Sequence, residues 1–475
     1  MKITLLSSVV FLSLATASKA QNFTLKPTPD IVGLQYSSVD FADIDGDGDL
    51  DLFTGGADPS YILTSRMYKN DGSGNFTLSD GTTFIKIREG AAAFGDVNGD
   101  NFPDLVVAGN TPGPTTKLYI NNGSGNYSLS TVEFTQSTYG ALAFGDIDND
   151  GDNDLVVTGF STSFYGITEL YKNDGNGNFT LLTAAQSGFT APGVFRSSVV
   201  LEDFDGDGFL DVFVTGNTSN NILVNTLYKN NGNGSFTIRA TPIAPIQTGS
   251  VSAGDFDNDS DKDLLVVGAD AVSAKVALLY SNDGNGNFTL VPDVPFIGAQ
   301  YGRSVFADVN NDGYPDVFIS GYRNPNRRAD LYMNNGASGG FTPVTVPFQG
   351  LNNADVAFAD VDGDTDLDFL VTGLSEAGTI SKLFLNELFL GTENPEAKNI
   401  RFYPNPVAAS LYLTLPSGVQ ALKADVYSLF GQLVHSENFA DGTNPIVHFD
   451  ALAAGVYLMK VTTDSGTQVQ RIVKS

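Results

Sequence analysis

An aspartate-rich loop that recurs seven times, with the same strand and turn signals between copies, predicts an all-β chain. The expected fold is a seven-bladed β-propeller of four-stranded blades over residues 21–390, followed by a linker over 391–399 and a small C-terminal β-sandwich over 400–475. The copies begin at Asp43, Asp96, Asp146, Asp203, Asp255, Asp308 and Asp360, in steps of 53, 50, 57, 52, 53 and 52 residues. A period near this length is that of one four-stranded propeller blade.

Taken in order, the chain opens on Lys2, an apolar run from Ile3 to Ala17, and Ser18-Lys19-Ala20. These predict an export signal over 1–20, cleaved before Gln21. No cysteine follows to carry a lipid, and no later stretch approaches the roughly 18 apolar residues that span a bilayer. Each period then runs alike. An alternating stretch such as Val39 to Ala42 leads into the loop. A run of the form Asp104-Leu-Val-Val-Ala-Gly109 reads as a strand closed by glycine. A variable loop leads to Leu170-Tyr-Lys-Asn173, a tight Asp-Gly-Asn-Gly-Asn turn, and Phe179-Thr180-Leu181 as the fourth strand. The seventh copy stops after Leu383-Phe-Leu-Asn386 without its fourth strand. Gln21-Asn22-Phe23-Thr24-Leu25 matches the missing piece, so the N-terminal segment is expected to pair into the last blade and remove a free sheet edge.

The first loop carries Asp43, Asp45, Asp47 and Asp51 at positions one, three, five and nine, with Gly48 at six and Asp49 at seven. Positions one, three, five, seven and nine are Asp96, Asn98, Asp100, Phe102 and Asp104 in the second loop, and Asp146, Asp148, Asp150, Asp152 and Asp154 in the third. They are Asp203, Asp205, Asp207, Phe209 and Asp211 in the fourth, and Asp255, Asp257, Asp259, Asp261 and Asp263 in the fifth. They are Asp308, Asn310, Asp312, Tyr314 and Asp316 in the sixth, and Asp360, Asp362, Asp364, Asp366 and Asp368 in the seventh. Calcium takes six to eight oxygens, which the side chains at one, three, five and nine and the carbonyl at seven can offer. Magnesium rarely uses all-protein cages, and like charges packed seven times over without a cation are costly, so up to seven Ca2+ are expected, acting as braces. The spacing resembles the start of an EF-hand loop, but the last acid falls at nine and strands flank it.

Loops of the form Asp-x-Asp-x-Asp-Gly-x-x-Asp, each preceded by Phe-Ala or Phe-Gly in most copies, resemble the FG-GAP repeats of integrin-type propellers and the related VCBS repeats. The resemblance implies metal loops between the first two strands of each blade. Asn98 and Asn310 depart from it at position three but keep an oxygen; Asn101, Ser260 and Thr365 replace the glycine of position six. A β-branched or substituted residue is strained where the backbone must turn left-handed, so the fifth and seventh sites are expected to bind most weakly.

Beyond Leu390 the character changes. From Glu396 onward six basic and six acidic residues cancel, whereas the mature chain before it carries a net −31. Alternating runs at 411–415, 424–427, 432–434, 456–461 and 468–473 read as short strands. Tyr403-Pro-Asn-Pro-Val407, Asp425-Val-Tyr-Ser, Gly431-Gln-Leu-Val434, Ala454-Gly-Val-Tyr-Leu458 and Arg471-Ile-Val-Lys474 resemble the C-terminal sorting domain of Por-type (type IX) secretion substrates. That implies the type IX machinery as a partner and a location outside the cell or on its outer surface.

The net charge of −29 argues against nucleic acid and anionic membranes as partners. The absence of cysteine removes thiol chemistry and disulfides, and the only histidines, His435 and His448, lie in the tail. On that ground no enzyme is expected, and no catalytic residue is assigned. The favoured role is a binding or adhesion module whose glycan or protein ligand meets the face opposite the metal loops, where the loops vary most. The alternative is a lyase or hydrolase acting on extracellular polysaccharide. Arg303, Arg323, Arg327 and Arg328 cluster in one blade with Tyr301 and Tyr322. They read either as partners of acids such as Asp330 and Asp355 or as a seat for an anionic sugar or acidic peptide.

Overall fold

The structure, a computed structural model, describes residues 23–28, 30–79, 81–336, 340–386, 400–415, 420–428, 433–439, 445–450, 452–453, 455–463 and 466–474. The export signal expected over 1–20 and the linker over 391–399 lie outside the described residues. One compact unit runs from Phe23 to Asn386, and the C-terminal residues belong to a second.

Within the first unit each period folds into antiparallel strands that pair in sequence order. In the first repeat these are Gln35–Ala42, Asp51–Ala57, Leu63–Asn70 and Phe76–Ser79. The second strand is buried at every position, which is why its sequence is a continuous small and apolar run instead of an alternation. The fourth is an edge strand, with Phe76 buried and both Thr77 and Leu78 exposed. The third and fourth repeats are connected by a single bridge, Ile167 to Val194. The last repeat has three strands of its own, Asn352–Ala359, Asp368–Ser375 and Gly378–Asn386. Its fourth is Phe23–Lys26, which pairs antiparallel with Phe23 opposite Asn386 and Lys26 opposite Leu383. The strand missing from the last repeat is thus supplied by the N-terminal segment.

Hydrophobic clusters sit between successive sheets. Phe53 and Met67 of the first repeat pack with Leu105 and Tyr119 of the second. The succession returns on itself: Leu52, Tyr68 and Phe76 pack with Val361, Leu370 and Leu383 of the last. A polar link runs alongside. The asparagine of each Leu-Tyr-x-Asn stretch, or its equivalent, reaches back to the preceding sheet and donates its side-chain N–H to the carbonyl of loop position two. Asn121 binds Ile44, Asn173 binds Val97, Asn230 binds Ile147, Asn282 binds Phe204, Asn334 binds Phe256 and Asn386 binds Val309, at 2.7–2.9 Å. Asn70 of the first repeat closes the series on Val361 of the last at 2.8 Å.

In the second unit, Arg401–Tyr403, Ser410–Thr414 and Ile446–His448 form one antiparallel sheet. Leu433–Asn438, Ala421–Ser428, Gly455–Thr463 and Gly466–Lys474 form another. Both contribute to one core that includes Leu411, Val426, Val447, Phe449 and Ile472. His435 and His448 both contact Glu437, at 2.7 and 3.1 Å.

Candidate metal centres

Each loop starts where the first strand of its repeat ends and stops where the second begins, so two paired strands fix its mouth. Its internal bonds repeat seven times. The position-one aspartate accepts the N–H of position six at 2.7–3.0 Å, as Asp43 does from Gly48 and Asp360 from Thr365. The position-five aspartate accepts the N–H of position seven at 2.9–3.2 Å. These bonds hold position six left-handed in every loop: φ is 92° at Gly48, 67° at Asn101, 94° at Gly151, 88° at Gly208, 78° at Ser260, 89° at Gly313 and 76° at Thr365. The expected backbone strain at Ser260 and Thr365 is therefore present.

Position nine does more than close a shell. Asp51, Asp104, Asp154, Asp211, Asp263, Asp316 and Asp368 are buried. One oxygen of each accepts the N–H of position two at 3.0–3.3 Å. The other accepts the backbone N–H of the linking asparagine at 2.7–2.8 Å. Burial pushes these carboxyls up, to about 6 at Asp51, Asp104 and Asp211 and about 7 at Asp154, Asp263, Asp316 and Asp368. The backbone bonds oppose that rise and neighbouring loop aspartates add to it.

The test of a cation falls on position three. Oδ1 of Asp45, Asp148, Asp205, Asp257 and Asp362 is buried with no hydrogen-bond partner among the described residues, the same atom in five loops. A buried carboxylate oxygen left unpaired is expensive, and a cation is the natural partner for it. In four of those loops positions one, three and nine bring carboxylate oxygens within 4.8 Å of one another: Asp43, Asp45, Asp51; Asp146, Asp148, Asp154; Asp203, Asp205, Asp211; and Asp360, Asp362, Asp368. In the fifth the close set is Asp255, Asp257 and Asp259. The donor set is all oxygen, so these residues fit a hard divalent ion. The second and sixth loops carry Asn98 and Asn310 at position three, one carboxylate fewer.

Position seven, assigned for its carbonyl, turns its side chain toward the next hairpin. Asp49, Asp152 and Asp261 lie against Gly72, Gly175 and Gly284, and Phe102 against Gly123, so close that a Cβ there would meet them at 2.5–2.7 Å. Three lysines were not expected from the sequence. Lys69 pairs with Asp45 at 2.6 Å, Lys172 with Asp148 and Asp150, and Lys229 with Asp205 and Asp207. They occupy the variable place of Leu-Tyr-x-Asn or its equivalent, where Ile120, Ser281, Met333 and Leu385 stand in the other repeats. Only the pairing of that third strand with the loop's own sheet reveals the contact. Two of the four arginines have acidic partners. Arg303 lies 3.7 Å from Asp355, and Arg328 donates two bonds of 2.7 Å to Asp330. Arg323 is exposed, and the Arg327 Nε is buried without a partner among the described residues.

Comparison with known proteins places this geometry. The family model described as FG-GAP-like repeat matches residues 96–157, 160–214, 203–266, 267–319 and 308–371. The model described as secretion system C-terminal sorting domain matches residues 401–475. The chain is therefore a substrate of that secretion route, exported to the cell surface or beyond. No helix among the described residues is long and apolar enough to cross a membrane. No curated protein matches the chain. Among solved structures it is similar to the BP39L lectin from Burkholderia pseudomallei, at 12% identity, 76% of this chain, 99% of that chain and a TM-score of 0.50. It is also similar to an alpha-L-arabinanase from Penicillium chrysogenum complexed with arabinobiose (11% identity, 77% and 98% covered, TM-score 0.39). An endo-1,4-beta-xylanase from Bacteroides thetaiotaomicron matches at 11% identity, 58% and 97% covered, TM-score 0.30. At these identities the likeness concerns the fold.

The expectation of no enzyme is corrected here. Glycoside cleavage needs only a pair of carboxyl groups, so the lack of cysteine and of histidine in the repeats excludes thiol and serine–histidine chemistry and nothing wider. The repeat model covers more than half of the sequence: the chain belongs to the FG-GAP-like repeat family and ends in the sorting domain of a secretion system.

Proposed function

We propose that residues 23–386 form a seven-bladed β-propeller, braced by up to seven Ca2+, that works outside the cell as a binding or adhesion module. The observation that carries the calcium is the buried, unpartnered Oδ1 repeated at position three of five loops. Bound there, calcium supplies a divalent charge shared among carboxylates that otherwise repel. The chain's own part is to hold positions one, three and five in one turn and to anchor position nine to two backbone N–H groups. Loops this alike suit a brace better than a recognition surface.

Recognition is assigned to the opposite ends of the first strands. The hairpins between second and third strands project there, and their tips expose large apolar side chains: Tyr61 and Ile62, Phe164, and Val272 at 83%. Single exposed apolar residues are ordinary, but here they recur on tips that differ from repeat to repeat. Thermal unfolding in calcium and in excess chelator tests the brace. The melting temperature is expected to fall by on the order of 10 °C or more on chelation. An unchanged melting temperature would remove calcium from the reading. A glycan and protein array probed in calcium and in chelator tests the binding role.

A further inference from the structure

Seven residues before the first aspartate of every loop stands a residue in the left-handed region: Tyr36, Glu89, Tyr139, Arg196, Thr248, Tyr301 and Asn353, with φ between 48° and 57°. None is glycine. The backbone links them in succession. Glu89 donates its N–H to Tyr36, Tyr139 to Glu89, and Arg196 to Tyr139, at 3.1, 2.7 and 2.5 Å. Tyr301 donates to Thr248 at 2.6 Å. All seven line a cavity of about 540 Å3, at the end of the first strands away from the metal loops. That volume is within the ~300–1,000 Å3 of small-molecule sites.

A left-handed backbone favours glycine, and a β-branched residue such as Thr248 is strained there. The chain has 51 glycines and uses them next door. Gly90, Gly140, Gly249 and Gly302 follow four of these residues, where a Cβ would meet a carbonyl oxygen at 1.8–2.2 Å. Glycine is thus placed where backbone contact forbids a side chain and withheld where it would only relieve strain. The loops repeat one set of side chains; this circle repeats one backbone angle and varies the side chains. Strain kept for side chains that differ, around a cavity, is what recognition of an asymmetric ligand requires.

The lining has a definite chemistry. Tyr139 and Tyr301 are exposed at 38% and 43%, and Tyr322 joins them on the wall. Such rings offer flat, rigid faces with a polar tip. Gln300, Asn353 and Ser197 offer amide and hydroxyl groups between them. Glu89 is faced by Arg88 at 3.6 Å and by the Asn110 amide at 3.4 Å. Arg196 lies 5.7 Å from the Phe195 ring centre and, among the described residues, in no ion pair. Glu89 and Arg196 balance within the circle, in a chain whose net −29 disfavours anions.

We propose that this circle of left-handed residues is a saccharide site, seating the end of a neutral oligosaccharide against Tyr139, Tyr301 and Tyr322, with its hydroxyls on Arg196, Asn353 and Gln300. The site rests on the binding reading above and names its place and ligand class. Glycine substitution separates the roles, because it removes the side chain while suiting the backbone. The full chain in calcium is titrated calorimetrically with neutral pentose and hexose oligosaccharides, and with uronate oligosaccharides as the acidic arm. At least one neutral member is expected to bind. Tyr139→Gly combined with Tyr301→Gly is expected to weaken it roughly tenfold or more while the melting temperature holds or rises. Unchanged affinity in the double variant overturns the site and leaves the binding role standing. Binding of uronates alone overturns the neutral class. No binding by any oligosaccharide overturns the site and its ligand, and leaves the module to the protein half of the array. A lowered melting temperature in the double variant makes the circle a structural brace and overturns the proposal.

Discussion

The first strand of each repeat has two ends, about 20 Å apart along an extended chain, and the ends are built on opposite terms. At one, Asp43 and its six counterparts carry the same side chain into the same bonds. At the other, Tyr36 and its counterparts share only a backbone angle. Where side chains do one job seven times, the sequence repeats. Where the fold holds the backbone and the side chains do different things, only the conformation repeats. The difference is between a set of side-chain bonds that is repeated and a backbone conformation that is repeated without them.

The sharpest way to break this contrast is at position nine. Asp211→Ala leaves the buried N–H groups of Phe204 and Asn230 without their acceptor. A cost of about 4 kcal/mol is expected in urea unfolding with calcium present. A loss below about 1 kcal/mol would mean that the metal end is no more structural than the other.

Between the two ends lies Asp40, on the first strand and half-buried. Burial pushes its carboxyl up to about 6, while the Phe41 N–H and Arg303 oppose the rise and Asp355 adds to it. A carboxyl raised above its unfolded value destabilises the fold above its folded pKa and stops doing so below the unfolded one. Stability should therefore decline as pH rises from about 4 to beyond 6, and Asp40→Asn should remove about 3 kcal/mol of that decline. Melting curves at pH 4.5 and 8 in saturating calcium measure it. Equal gains at both pH values would assign the effect to something other than charge.

The smallest effect sharpens the contrast within the metal end. Thr365→Gly and Ser260→Gly relieve left-handed strain at φ 76° and 78°. Each is expected to stabilise by about 1 kcal/mol and to tighten calcium at its own loop. The same change at Gly-bearing loops has no counterpart, so a loss of stability in either variant would show that the substituted side chain has a contact worth keeping.

The loops are legible in the sequence because the same oxygen-bearing residues recur at fixed spacing, and the last strand because Phe23-Thr24-Leu25 repeats a motif absent after Asn386. The linking asparagines are visible as letters but not as links. Asn70 and Val361 are 291 positions apart, and no local rule joins them. The circle around the cavity is illegible for a different reason. Tyr36, Glu89 and Arg196 have no chemistry in common, and a φ angle leaves no letter. Counting back from each loop finds the position, and the small residue after each one, Ser37, Gly90 or Ser197, is the available clue. Histidine and cysteine are poor guides to catalysis in a chain whose wealth is carboxylate, with 54 Asp and Glu against two His.

The pairing of Phe23–Lys26 with Gly378–Asn386 also governs timing. The earliest strand of the unit finds its neighbour only in the latest. Contacts so distant along the chain slow folding, since the intervening loop must close before they return anything. A chain delivered N-terminus first carries an unclosed edge until its last repeat is complete. Once closed, neither extremity of the unit can unravel by itself, because each is held by the other.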